Sequence, residues 1–338
     1  MTLISLPNGS PLRSLEPGGI AALGFFDGVH EGHRAILESA AALARGTSRP
    51  CGVWTIAYSD DPYKGSAASY LTSESDRLKY LRVAGAEFAA ESDFEEIRDM
   101  NGREFVKRVL AGEMQLSAVV CGENFRFGCG AVCGADELSE YCGDAGIDCI
   151  VVEPICDGGE TVSSSRIRRL IADGDMEGAA RLLGRPYSYR LPVVHGKMLG
   201  RRLGFPTANQ IVPHGLAVPP PGVYAAEVTF ECDGREVSLP GAANIGACPT
   251  VDAEVLREAG IPGSRIGLPG AAGVGKAVCE TYIDGYSGDL YGRRIRVSLL
   301  SRLRGEMKFS GIGELRERIR RDAESAREIY EKALGERK

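Results

Sequence analysis

Two stretches of this chain carry side chains suited to phosphate chemistry. The first is Leu23-Gly-Phe-Phe-Asp-Gly-Val-His-Glu-Gly-His33. His30 and His33 stand three residues apart where a short apolar run meets a helix-like segment, so the two imidazoles share one face of a first helical turn. Free backbone N–H groups and the helix dipole gather anions at such a start. Gly28 and Gly32 let backbone come close to a phosphate, and an imidazole pair can donate hydrogen bonds to its oxygens as charge builds in a transition state. Two of only four histidines in the chain sit here, which favours chemistry over an incidental turn. The second stretch is His195-Gly-Lys-Met-Leu-Gly-Arg-Arg-Leu-Gly-Phe-Pro-Thr-Ala-Asn209. Gly196, Gly200 and Gly204, with Lys197 and Arg201 between them, make an anion-receptive loop, and Pro206 restricts the backbone before Thr207. Thr207 and Asn209 are hard oxygen donors two apart, suited to holding Mg²⁺ beside nucleotide phosphates.

Two more segments extend the first site. Cys121-Gly-Glu-Asn-Phe-Arg-Phe-Gly128 directly follows a strand-like run, and Val162-Ser-Ser-Ser-Arg-Ile-Arg168 opens a helix. The hydroxyls of Ser163, Ser164 and Ser165, the adjacent N–H groups and Arg168 one turn on would cradle a triphosphate, although Ser163 alone reads equally as a helix N-cap.

The elements that must carry these groups fall into two halves. The first alternates: strand Ile20–Leu23, helix 32–44, strand 52–56, helix 75–84, strand 116–121, helix 136–145 and strand 147–153, then a helix pair over 165–171 and 176–183. This order predicts a doubly wound parallel sheet with ligands beyond the carboxyl ends of its strands. The character changes at Gly184-Arg-Pro, so the expected domains are residues 1–184 and 185–338. The second half is β-rich: 223–230, an Asp233-Gly234 turn, 277–283 and 293–300 predict a small antiparallel barrel. A closing helix follows, with Ile312, Leu315, Ile319, Ala323, Ala326 and Tyr330 at helical spacing as a core-facing stripe. The Gly-rich run from Val251 to Lys276 reads as a loop insertion.

At 338 residues the chain exceeds one core, in keeping with two domains. A formal charge of −6 argues against nucleic acid or an anionic membrane as partner. With no signal-like N-terminus and no apolar run of about 18 residues, a cytoplasmic location is expected. Ten cysteines include Cys129 and Cys133 at close spacing, but no second pair follows, and Cys121, Cys149, Cys232 and Cys279 lie in apolar runs. Buried thiols are favoured over a metal site.

The ordered boxes of the first half, Gly-x-Phe-Asp-Gly-x-His-x-Gly-His, Gly-x-x-Phe-x-Phe-Gly and Ser-Ser-x-x-Ile-Arg, resemble the adenylyltransferase domain of bacterial FAD synthetases, of the HxGH nucleotidyltransferase type. The second half, through Pro221-Gly-Val-Tyr224, Asn244-Ile-Gly, Glu280-Thr-Tyr, Asp289-Leu-Tyr-Gly292 and Leu303–Phe309, resembles riboflavin kinase. The resemblance implies Mg²⁺-dependent phosphorylation of riboflavin to FMN and adenylylation of FMN to FAD, with ATP as co-substrate and pyrophosphate released. It implies Gly24, Phe26, Asp27, Gly28, Gly32, Asn124 and the three serines at the first ATP, with His30, His33 and Arg168 catalytic and Arg126 at the flavin. In the second half it implies Glu280 as general base, Tyr224 and the glycine loop at ATP, Thr207 and Asn209 at the metal, and Arg304, Glu306 and Phe309 covering the flavin. The chain departs from the family pattern at Phe25 (usually Asn), Ser165 (usually Thr) and Thr55–Pro62, where a Thr-Phe-x-Pro-His-Pro box is usual. In the second half Cys248, Val251 and Tyr282 replace common Arg, aromatic and His residues. Two alternatives remain open: a riboflavin kinase with a regulatory first domain, and a flavin-binding module without catalysis.

Overall fold

The computed structural model describes residues 1–6, 17–58, 69–196, 200, 203–213, 215–247 and 277–336. Lys197, Arg201, the Ser59–Pro62 departures, Cys248 and the 251–276 insertion lie outside them. By contacts the chain divides into two units, one of Met1–Ser59 with Thr72–Ser164, the other built on Ser165–Lys338.

The first unit holds strands β1 (Thr2–Ser5), β2 (Ile20–Leu23), β3 (Cys51–Ile56), β4 (Phe88–Ser92), β5 (Ala118–Gly122) and β6 (Asp148–Val152) in one parallel sheet, ordered β1-β4-β3-β2-β5-β6. β2 and β5 are buried on both faces, as near-continuous apolar runs require. Alternate residues divide between two cores. Ala21, Leu23, Trp54, Ala90, Val119 and Cys121 face one, and Ile20, Ala22, Val53, Ala89, Ala118 and Val120 face the other. Helices α1 (Glu31–Thr47) and α2 (Glu74–Val83) supply the second core. The other face is covered by α3 (Phe94–Ile97), through Ile97, by α4, a helical run from Gly102 to Glu113 whose later part is widened to i→i+5 bonding, and by α5 (Ala135–Asp144). The chain runs from β2 outward to β3 and later returns to place β5 on the other side of β2. The crevice at such a reversal, beyond the carboxyl ends of β2 and β5, is where open α/β sheets bind ligands.

In the second unit, helices α6 (Ser164–Asp173) and α7 (Met176–Leu183) precede an antiparallel sheet. Its strands are β9 (Tyr187–Pro192), β10 (Thr207–Val212), β11 (Gly222–Cys232), β12 (Arg235–Ala247), β13 (Ala277–Ile283) and β14 (Arg294–Arg304), ordered β10-β13-β12-β11-β14-β9. The sheet curls until Val194, just past β9, bridges Asn209 of β10. A small ribbon, β7 (Cys156–Asp157) with β8 (Glu160–Thr161), belongs to the first unit. The closing helix, α8 (Ile312–Glu336), packs Ala326 and Tyr330 against Val223, Ala225, Ala242 and Leu300.

The doubly wound sheet and the antiparallel curl match the fold read from the sequence, with three differences. β1, β4, β9, β10 and the Gly102–Glu113 helix are not legible in the sequence. The helical stripe of α8 is buried only from Ala323 onward, and Ile312 is 72% exposed, so helical spacing marked a face that the sheet covers for half its length. Among the cysteines, Cys121 and Cys279 are buried, Cys149 and Cys232 are half-buried, and Cys129 and Cys156 are exposed.

Candidate active sites

In the first unit the chain leaves β2 in a tight loop. Gly28 takes φ +83°, and Phe26 and Val29 take φ 54° and 40°, a left-handed conformation that costs side-chain-bearing residues energy and recurs at functional loops. His30 then caps α1, its Nδ1 accepting from the His33 N–H at 3.3 Å. The two imidazoles stack with centroids 3.6 Å apart, and Phe26 meets His33 edge-on. Burial, and next the neighbouring His30, hold the His33 pKa well below its ordinary value, so its ring stays neutral at pH 7. With Nδ1 accepting, a neutral His30 carries its proton on Nε2, a donor for a phosphate oxygen. A Cβ on Gly32 would lie 3.3 Å from the His30 ring and 3.4 Å from the Val162 carbonyl, so this glycine lets the loop and the serine segment approach.

Ser164 Oγ donates to the Asp27 carbonyl at 2.9 Å, tying the serine segment to the first loop across 137 residues of sequence. The Asp27 carboxylate, 2% exposed, accepts from Tyr58 Oη at 3.1 Å, and Thr72 Oγ1 lies 3.2 Å from that hydroxyl while accepting from the Gly28 N–H. Asn124 and Arg126 are exposed on the loop after β5, across the reversal from β2, where Arg126 donates to the Phe125 carbonyl. Gly24 lies beneath the Phe26 ring. Beyond Ser164 the chain belongs to the second unit, and there Arg168 donates to Ser165 Oγ at 3.4 Å.

No sequence motif pointed to Arg77. It is fully buried on α2 and donates to the carbonyls of Phe25 at 3.1 Å and Ile56 at 3.0 Å and to Glu91 at 2.6 Å. Breaking a buried pair of this kind costs about 3–5 kcal/mol. A charged residue within a helix-like segment gives no signal of burial unless its partner, here a Glu in an unread strand, is also found.

The second site is set out on strands. In the antiparallel register Asn209 of β10 pairs with Glu280 of β13, which pairs in turn with Asn244 of β12. Directly paired residues share a face, so an amide, a carboxylate and an amide form one row, with Thr207 on the same face two residues before Asn209. Glu280 is exposed and Asn209 is 8% exposed. Asn209 Nδ2 donates to the Thr207 carbonyl at 3.3 Å, leaving the amide oxygen for a cation. A Cβ on Gly196 would come within 2.6 Å of the Asn209 side chain, and one on Gly200 within 2.3 Å of the Phe205 carbonyl, so only glycine fits at these two positions. Gly204 takes φ +85° and Pro206 is exposed before Thr207.

The Glu306 carboxylate and the Asn244 amide both come within 4 Å of where a Cβ on Gly246 would stand. Arg304 is held by Asp322 of α8 through Nε at 2.9 Å and Nη2 at 2.7 Å, and its guanidinium lies 5.9 Å from the Phe309 ring centre. The Tyr224 ring is fully buried and its hydroxyl donates to the Pro220 carbonyl at 2.5 Å, so that hydroxyl fixes the strand start. Asn244 stands in a string that carries the resemblance but gains no role from it, and no sequence signal points to Asp322. Register alone brings Asn244 beside Glu280, and Asp322 interrupts an otherwise apolar face.

Family models match in the same order: FAD synthetase over residues 13–166 and riboflavin kinase over residues 183–330. The bifunctional riboflavin kinase/FMN adenylyltransferase of Escherichia coli K12 is 32% identical, with 93% of this chain and 94% of that protein covered. This chain belongs to the bifunctional riboflavin kinase/FMN adenylyltransferase family. The family member from Pseudomonas fluorescens is 33% identical over 94% of this chain and 95% of its own length, and that from Bacillus subtilis 30% over 93% of each. A solved structure described as a macrolide-efflux protein from Streptococcus pneumoniae superposes with a TM-score of 0.78 at 26% identity, covering 97% of this chain and 99% of that one. Among the described residues no helix is long and apolar enough to cross a membrane. The chain thus carries both a FAD synthetase and a riboflavin kinase domain of the family.

Proposed function

We propose that residues 185–338 transfer the γ-phosphoryl group of ATP to riboflavin, and that residues 1–184 join the resulting FMN to AMP. The observation that carries the kinase half is the row of Asn209, Glu280 and Asn244 across three paired strands, with Thr207 beside it. Glu280 accepts the proton of the ribityl 5′-hydroxyl as that oxygen bonds to the γ-phosphorus and ADP leaves. Thr207 and Asn209 would hold Mg²⁺, and the donor set fits: two hard oxygens beneath glycines that leave room where a Cβ would not. Bound there, the ion would offset charge on the nucleotide phosphates. Gly196, Gly200 and Gly204 face the phosphates, and Arg304, Glu306 and Phe309 close over the flavin.

In the first half an FMN phosphate oxygen bonds to the α-phosphorus while the bond to the β-phosphate oxygen breaks and pyrophosphate departs. His30 Nε2 and the neutral His33 donate toward the oxygens that gain charge, with Ser163, Ser164 and the N–H groups of the helix start binding the leaving phosphates. Asn124 and Arg126 meet nucleotide and flavin. ATP as shared co-substrate points to the cytoplasm.

Incubation with riboflavin and Mg-ATP, followed by separation of the flavins, tests both halves. FAD is expected; unchanged riboflavin would overturn the kinase half, and no FAD from supplied FMN would overturn the other. A kinase-only reading is favoured by one observation: the Phe25 ring, packed 5.4 Å from that of Tyr58, stands at the strand end where the family carries a polar Asn. FMN as sole product would establish it.

A further inference from the structure

At the carboxyl end of the first sheet one side chain touches three neighbouring strands. Arg77 Nη1 donates to the Phe25 carbonyl, just past β2, and to the Ile56 carbonyl and Thr55 Oγ1 at the end of β3, while Nη2 pairs with Glu91 of β4. Thr55 Oγ1 donates to the same Phe25 carbonyl at 3.2 Å. The guanidinium lies 4.1 Å from the centre of the Tyr58 ring and 5.5 Å from that of Phe25. Tyr58 in turn donates its hydroxyl to Asp27, whose carbonyl accepts from Ser164. The next residues are the left-handed turn and the two histidines.

A loop with two non-glycine residues at positive φ is held only if its surroundings over-determine it. The Phe25 carbonyl is the last fixed point before that turn, and it is fixed by a cation that is itself immobilised by Glu91 and flanked by two aromatic rings. Arg77 is completely buried, which excludes it from direct contact with phosphate.

We propose that Arg77 is a positioning residue for adenylyl transfer, acting through the Phe25 carbonyl and through Tyr58 on Asp27 to set His30 and His33 at the reacting phosphate. This rests on the FMN-adenylylating reading of the first unit. It predicts that the strand-end clamp affects turnover more than substrate affinity, because what shifts is the aim of groups already present.

The test uses the full chain with Arg77→Met, Arg77→Lys and Tyr58→Phe, assayed for FAD from supplied FMN and for FMN from riboflavin. Amide exchange at residues 26–33 and the emission of Trp54, the only tryptophan and a residue of β3, are followed in parallel. Arg77→Met should lower kcat for FAD on the order of 10²-fold with KM values within about threefold, and Arg77→Lys should recover about tenfold of that loss. Tyr58→Phe, which keeps the ring over Arg77, should lower kcat by about tenfold and speed exchange at residues 26–33 while β2 and α1 stay protected. FMN formation should not move. Wild-type kcat in a folded Arg77→Met variant would overturn the proposal, as would a loss in Arg77→Lys matched by loss of the native Trp54 emission. If both Arg77 variants unfold, unchanged kcat and exchange in Tyr58→Phe overturns it. A wild type that makes no FAD removes the reaction itself, and the exchange data then separate that failure from failure of the clamp.

Discussion

The two sites are built in opposite ways. In the second unit the row Asn209, Glu280, Asn244 lies on paired strands, so backbone hydrogen bonds that hold the sheet also set the spacing of the chemistry. In the first unit His30, Asp27 and Ser164 come from loops and helix starts, and their spacing depends on single side-chain bonds such as Ser164 to Asp27 and Tyr58 to Asp27. A strand-borne site is over-determined by the ladder. A loop-borne site is only as well placed as the few buried polar groups behind it, and it is correspondingly easier to alter.

The largest expected effect bears on the strand-borne half. Glu280→Gln keeps the shape but cannot accept the hydroxyl proton, and FMN formation should fall on the order of 10²- to 10⁴-fold while riboflavin and ATP still bind. Near-normal turnover, measured by flavin separation, would take Glu280 out of the base role and remove the reason for comparing the halves. His33→Ala should lower FAD formation from supplied FMN by about 10²- to 10³-fold and leave FMN formation alone, because the donor it deletes serves only the first site. Equal loss of both activities would mean that the sites do not work separately.

Gly196→Ala sharpens the contrast within the second unit. Its new methyl would press on the Asn209 side chain, 2.6 Å away, and kinase turnover should drop roughly 10- to 10²-fold with a steeper dependence on Mg²⁺. Unchanged Mg²⁺ dependence would place the metal elsewhere.

The smallest effect concerns protons. His33 has a folded pKa well below 6.5, so the unfolded chain takes up a proton first as pH falls. The stability its neutral burial contributes is complete above pH 6.5 and is lost as pH drops through the folded pKa, by no more than about 1.4 kcal/mol per pH unit. Urea unfolding followed by Trp54 emission should therefore lose more stability between pH 7.5 and 5.5 in wild type than in His33→Ala. Parallel losses would mean that His33 titrates normally.

What could be read from the sequence follows the same divide. The alternation of apolar runs and helical periods gave the parallel sheet because β2 and β5 are fully buried, β3 is buried at all but Ile56, and all three show it in composition. β4, Phe-Ala-Ala-Glu-Ser, was not read as a strand: its Glu91 and Ser92 look exposed and are buried only because Arg77 and Trp54 bond to them. That is also why Arg77 went unseen. Motif spacing singles out His30, His33, Thr207 and Asn209, since those groups lie close together in sequence, and the resemblance alone singles out Glu280. It could not give Asn244 its place beside Glu280, which depends on register, or Asp322 its hold on Arg304, which depends on how far α8 packs along the sheet.

The central claim is that one chain carries two separable reactions, FMN formation in residues 185–338 and FAD formation in residues 1–184. The most direct measurement is the flavin product pattern of Glu280→Gln with Mg-ATP, given riboflavin in one reaction and FMN in another. FAD should form at the wild-type rate from FMN, and neither FMN nor FAD should form appreciably from riboflavin. No FAD from FMN in both variant and wild type, or FAD from riboflavin at the wild-type rate in the variant, would contradict it.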